Sequence, residues 1–196
     1  MDIQKTKEVL GKMADVMIEN KQHLSDLDSS IGDGDHGFNM AKGFTFVKDD
    51  MKNDYKDLKE LFMKVSMDLI SKVGGASGPL YGTFFMKFAG SLSGVTELNR
   101  DNLNTAFKNG VDGVKQRGKA QVGDKTMVDV LEPVSVALND GKSFDEIIKL
   151  AEEKMNCTKD IIAKKGRASY LGERSIGHID PGCCSSYLLI KTALGE

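Results

Sequence analysis

Three carboxylates fall within eight residues: Asp28, Asp33 and Asp35 lie in Leu27-Asp28-Ser29-Ser30-Ile31-Gly32-Asp33-Gly34-Asp35-His36-Gly37. Packing such charges together is unfavourable unless a cation joins them or water screens them, so the stretch is either a metal site or a solvated turn. Oxygen ligands without thiolates favour a hard ion, Mg2+ or Ca2+, over zinc. An EF-hand calcium loop fails by position. Counted from Asp33, Phe38 stands where glycine is required and Phe44 where glutamate is required; counted from Asp26, Ile31 blocks the glycine position. Magnesium, which keeps several waters and recruits substrate phosphates as further ligands, suits the loop better.

The same stretch formally matches G-x-G-x-x-G at Gly32, Gly34 and Gly37. No strand precedes it, and two Asp inside the motif would repel a pyrophosphate unless a metal intervened. A Walker A loop is also absent, because Gly141-Lys142-Ser143 has the right ending but Val136 occupies the place of the first glycine. A nucleotide, if bound, is bound by neither common fold.

The elements that must position these residues are helices. Apolar side chains recur at three- and four-residue steps: Leu58, Leu61, Phe62, Val65, Leu69 and Val73 form one stripe, and Leu103, Ala106, Phe107, Gly110, Val111 and Val114 another. Val9, Leu10, Met13 and Met17 begin a third. Gly74 and Gly75 end the Leu58–Val73 stripe, and Pro79 then suits the first turn of a new helix. Ser143 with Glu146 forms a capping-box pattern, while Asp180 and Pro181 supply the cap and first turn of a final helix through Leu188. Pro133 is expected to kink or interrupt the Met127–Leu138 stripe. No strand, repeat or linker is evident. The expectation is one all-α domain over residues 1–196, with seven to nine helices.

Glycines concentrate in four polar loops, Gly32–Gly37, Gly74–Gly78, Gly118–Gly123 and Gly172–Gly182. Each leads into a predicted helix start, where unpaired N–H groups and the dipole favour an anion, although helical proteins also use glycine simply as a cap. Four such loops point to a phosphate site.

Composition narrows the partners. The 196 residues carry a formal net charge of −2, which gives no electrostatic footprint for nucleic acid. No apolar run reaches the ~18–20 residues of a membrane span, and the start of the chain lacks the pattern of a secretion signal, so a cytoplasmic protein is expected. Cys157, Cys183 and Cys184 form no disulfide framework or C-x-x-C metal site and are read as small buried side chains.

Ile31-Gly32-Asp33-Gly34-Asp35-His36-Gly37 with Asn39, followed by Gly74-Gly75-Ala76-Ser77-Gly78-Pro79-Leu80-Tyr81-Gly82, resembles the nucleotide-binding L subunits of dihydroxyacetone kinases. Arg117-Gly118-Lys119-Ala120, Gly123-Asp124-Lys125-Thr126-Met127, and Gly166 to Arg174 through Asp180-Pro181-Gly182 extend the match. The resemblance implies a single-domain barrel of about eight antiparallel helices, with ADP or ATP held at one end by Mg2+. It implies that Asp28, Asp33 and Asp35 coordinate two Mg2+ ions. It also implies that the backbone of His36, Gly37, Phe38 and Asn39, with Ala76 and Ser77, lines the phosphates. Gly118, Met127, Arg167, Asp180, Pro181 and Gly182 would complete the pocket, with Met127 against the base.

Single-chain members of that family fuse this domain to a substrate domain, for which this chain has no counterpart. A free-standing subunit resembles the phosphotransferase-system type. There ADP stays bound, a phosphohistidine-carrying subunit rephosphorylates it, and the γ-phosphoryl group passes to dihydroxyacetone on another subunit. Such a chain needs no nucleophile of its own, because phosphoryl transfer depends on positioning and charge neutralisation. Accordingly His23 and His178 read as structural, His36 as acting through its backbone, and Arg167, then Lys119 and Lys125, as the cations that could contact phosphate. Two alternatives stay open at this stage: an ATP-consuming kinase module of related type, including fatty-acid kinases, and a nucleotide-dependent regulator of a transcription factor.

Overall fold

The computed structural model describes residues 1–195. Among the described residues nine α-helices run in order: α1 Ile3–Glu19, α2 Lys21–Ile31, α3 His36–Asp50, α4 Leu58–Lys72, α5 Ser77–Gly90, α6 Arg100–Gly118, α7 Val128–Asn139, α8 Phe144–Cys157 and α9 Pro181–Leu194. Two 3-10 segments, Thr158–Asp160 and Arg167–Ser175, fill the long connection before α9. No strand forms among the described residues, in keeping with the all-α expectation.

Local chemistry sets the helix starts. Asp2, Asp57 and Asp180 accept from the N–H groups of Lys5, Glu60 and Cys183. Asn99 with Asn102 and Ser143 with Glu146 form reciprocal capping boxes. Pro133 does not interrupt α7. It stands at the sixth residue of the helix, where the lost N–H costs a single bond, to the Asp129 carbonyl, close to the start of the helix.

The apolar stripes close the helices into a ring. α1 packs on α3, then α4, α5, α6, α7, α8 and α9 follow in sequence, and α9 packs back on α1. That makes an eight-helix barrel, with α2 lying across α3 and α9 at one end. Neighbours run antiparallel. At one end the Met1 ammonium donates to the Leu98 carbonyl, Leu58 N–H to Val95, and the Arg100 guanidinium to Leu138 and Lys142. At the other end the starts of α3, α5, α7 and α9 meet, with His36, Ser77, Met127 and Pro181 around one cleft.

Phe44, Leu58, Leu61, Val65 and Leu69 are among the fully buried core side chains. Phe62, Phe84, Phe85, Phe88 and Phe107 stack or meet edge-on at 4.6–6.1 Å between ring centroids. They border an apolar cavity of about 520 Å³ inside the barrel. Cys183 and Cys184 are buried as expected, whereas Cys157 is exposed at the end of α8. No described helix is long and apolar enough to cross a membrane.

Candidate nucleotide and metal site

The acidic loop is built by α2 folding back on α3. Asp28, in the last turn of α2, accepts through Oδ2 from the backbone N–H of Asp35 (3.0 Å) and His36 (3.2 Å). Gly34 makes the reversal with φ +78°, a conformation that favours glycine. Gly37 lets the two helices touch, since a Cβ there would collide with the Lys21 carbonyl. Ser25 Oγ completes the junction by accepting from Gly37 N–H (3.1 Å) and Phe38 N–H (3.3 Å).

This junction brings carboxylate oxygens of Asp28, Asp33 and Asp35 within 4.8 Å of one another. Burial raises the Asp28 pKa above the usual carboxylate value, and the charges of Asp33 and Asp35 add to the rise while the two backbone donors oppose it. Three hard oxygen donors with no sulfur or imidazole among them fit Mg2+. The Arg167 guanidinium forms an ion pair with Asp33.

Across the cleft, α5 begins without a side-chain cap at Ala76, and Pro79 brings no N–H of its own. The three other helix starts are already supplied. α3 is served by Asp28 and Ser25, Val128 N–H by Thr126 Oγ1 (3.2 Å), and Cys183 N–H by Asp180 (2.7 Å). The start of α5 is therefore the one best prepared for an anion.

The floor is a buried polar chain. His36 Nδ1 lies 3.0 Å from Ser77 Oγ, and its Nε2 lies 3.0 Å from Ser185 Oγ. Ser185 Oγ in turn sits 2.8 Å from the Tyr81 hydroxyl, which is 2.9 Å from Ser186 Oγ. Burial pushes the imidazole down to about 4 and the phenol far above its ordinary value, so both groups are neutral near pH 7.

The cleft holds about 210 Å³ and is lined by Asp28, Asp33, Asp35, His36, Asn39, Ala76, Ser77, Met127, Arg167 and Asp180 to Gly182. Gly37, Phe38 and Gly118 do not line it. Gly37 is pressed against α2, Phe38 is half-exposed, and Gly118 stands behind Leu80, whose side chain does reach the cleft. The backbone of His36–Asn39 also differs from the expectation, because its four N–H groups are bonded within the protein, to Asp28, Ser25, Ser25 and the Asp35 carbonyl. Arg167 pairs with a carboxylate, and the Lys125 ammonium donates to the carbonyls of Ser175 (2.5 Å) and Ile161 (3.2 Å). Leu80 and Tyr81 stand in the Gly74–Gly82 motif without a role that the sequence assigns them, and Ser185 stands outside the motifs. Ser185 and Tyr81 sit on helical faces that read as core, and only closure of the barrel turns their hydroxyls toward His36.

The DAK2 domain family is matched over residues 30–195. The chain belongs to this family. It is 49% identical over 177 residues to the ADP-binding subunit of PEP-dependent dihydroxyacetone kinase 1 from Listeria innocua, covering 90% of this chain and 87% of that one. It is 46% identical over 195 residues to the ADP-binding subunit of the PTS-dependent dihydroxyacetone kinase of Lactococcus lactis, covering 99% and 97%. The fold matches the C. freundii dihydroxyacetone kinase, a crystal structure in complex with AMP-PNP and Mg2+, with a TM-score of 0.76 at 24% identity. That alignment covers 97% of this chain and 33% of the other, so this DAK2 chain spans about a third of that enzyme.

Proposed function

We propose that this chain is the nucleotide-carrying subunit of a PEP-dependent dihydroxyacetone kinase. One observation carries the reading: three carboxylates from the α2–α3 junction face the uncapped start of α5 across a single cleft. Metal-bound phosphates need both halves of that arrangement.

In this reading Asp28, Asp33 and Asp35 hold two Mg2+ ions. When bound, the ions neutralise charge on the nucleotide phosphates. Ala76 and Ser77 receive phosphate oxygens at the start of α5, and Arg167 turns from Asp33 to the phosphates. His36 holds the Ser77 hydroxyl, while Asn39, Met127 and Asp180 to Gly182 form the remaining walls. Gly37 and Phe38 act indirectly by shaping the junction, and Gly118 by backing Leu80. No side chain here need attack phosphorus, because positioning and charge neutralisation carry the step.

The free-standing type is favoured by coverage. The relatives matched along nearly their whole length are named ADP-binding subunits of PEP- or PTS-dependent kinases, whereas the C. freundii enzyme is three times as long. The partners are then a dihydroxyacetone-binding kinase subunit, which receives the γ-phosphoryl group, and a phosphohistidine-carrying phosphotransferase subunit, which restores it. The setting is the cytoplasm.

Mass spectrometry of ligand released from the purified chain tests the reading. One ADP per chain, exchanging slowly with labelled ATP, is expected. Rapid exchange, with dihydroxyacetone phosphorylated from free ATP and no need of a phosphocarrier, would instead establish an ATP-consuming kinase module.

A further inference from the structure

Lys125 is the least expected residue near the cleft. It is a non-glycine residue with φ +61°, and it is only 1% exposed. A left-handed backbone and a buried ammonium are each unfavourable, and such features persist only where surrounding structure holds them. Burial lowers its pKa, against the attraction of Asp180.

Its bonds give the lysine a task. The ammonium donates to the carbonyls of Ile161 and Ser175, fourteen residues apart. Between those two carbonyls runs the segment whose outer turn carries Arg167. The neighbouring Asp124 carbonyl accepts from Lys164 N–H (3.0 Å) on the same segment. Within the segment, Ser175 Oγ accepts from Ala163 N–H (2.9 Å) and donates to the Gly172 carbonyl (2.6 Å). Apolar support is slight: Ala163 and Ala168 form a small cluster with Ile31, apart from the main core. Arg167 itself is largely exposed and is held at its tip by Asp33. A segment with so little apolar burial depends on its polar anchors, and Lys125 anchors both ends at once.

We propose that Lys125 is a positioning residue for the nucleotide site, tying both ends of the 161–175 segment to the α6–α7 turn and so holding Arg167 over Asp33 and the phosphate cleft. The inference rests on the nucleotide reading above and adds to it a residue at the cleft wall whose ammonium is committed to the Ile161 and Ser175 carbonyls and which acts through Arg167.

A double-mutant cycle on the full chain tests it, with Mg2+-ADP affinity measured by calorimetry for wild type, Lys125→Met, Arg167→Ala and the double variant. Lys125→Met is expected to weaken binding ten- to a hundredfold, the usual range for an outer residue that orients a ligand-contacting one. The double variant is expected to bind no more weakly than Arg167→Ala alone. Hydrogen exchange should quicken tenfold or more at 161–175 and stay unchanged in the barrel helices. Additive losses, or wild-type affinity in a Lys125→Met protein whose 161–175 amides exchange faster, would overturn the inference. If Lys125→Met fails to fold by circular dichroism, Ser175→Ala loosens the same segment and is read through the same cycle with the same outcomes. Wild-type protein that takes up no Mg2+-ADP would remove the nucleotide reading and this inference together; tight wild-type binding with an indifferent Lys125→Met removes this inference alone.

Discussion

Arg167 and Asp33, 134 residues apart in the chain, form an ion pair across the mouth of the cleft. The pair ties the carboxylate cluster, to which Asp33 belongs, to the 167–175 segment, which lines the cleft through Arg167. Without a divalent ion, the guanidinium is the cation that offsets part of the cluster's charge.

Arg167→Ala should therefore act in opposite directions on two ligands. Mg2+ alone should bind somewhat more tightly, by up to about fivefold, because it no longer competes with a partly exposed ion pair. Mg2+-ADP should bind roughly ten- to a hundredfold more weakly, through loss of a charged hydrogen bond to phosphate. Calorimetric titration with each ligand checks both signs; weakening of both would mean that Arg167 supports the carboxylates instead of balancing them.

Gly37→Ala should damage the site from behind. The added methyl meets the Lys21 carbonyl and must push α3 off α2, which separates Asp35 from Asp28. A loss of about 1–3 kcal/mol in stability is expected from overpacking, with a larger proportional loss of Mg2+-ADP affinity. Thermal melting and calorimetry on the same samples separate the two effects.

Much of this was legible in the sequence wherever local chemistry decides. Ser143 with Glu146, Asp180 with Pro181, and the α4 stripe from Leu58 to Val73 all form the elements that their spacing predicts. The clustering of Asp28, Asp33 and Asp35 was legible for the same reason, since one loop brings them together. Long-range relationships were not. His36 reads locally as a backbone contributor, yet its ring bridges Ser77 and Ser185, which lie 41 and 149 residues away. The bonding of α3's first N–H groups depends on how α2 lies against it, and Lys125 reads as a phosphate cation until the 161–175 segment is seen to surround it.

Asp180 offers a pH test. Burial pushes its carboxyl up to about 6, with Asp129 adding to the rise, so the folded state holds this proton more tightly than the unfolded chain does. The ionised form therefore destabilises the fold. The penalty begins near pH 4, grows to about pH 6 and is constant above, reaching on the order of 3 kcal/mol. Asp180→Asn keeps an effective helix cap but removes the charge. Its melting temperature should gain on wild type between pH 4 and 6 and hold that gain at higher pH. A difference independent of pH would contradict the assignment.

Ser77→Ala should be mild. The hydroxyl is one partner of His36, and the backbone donors at the start of α5 remain. A two- to tenfold loss of ADP affinity corresponds to a single neutral hydrogen bond. Complete loss in equilibrium dialysis would show that the hydroxyl, and not the helix start, holds the phosphate.

Calorimetry of ADP uptake by protein stripped with a chelator, with and without added Mg2+, tests the central claim most directly. The site described here predicts tight uptake with Mg2+ and a loss of at least about a hundredfold without it, as three carboxylates that Arg167 only partly neutralises then face a diphosphate. Equal affinity in both conditions would contradict it.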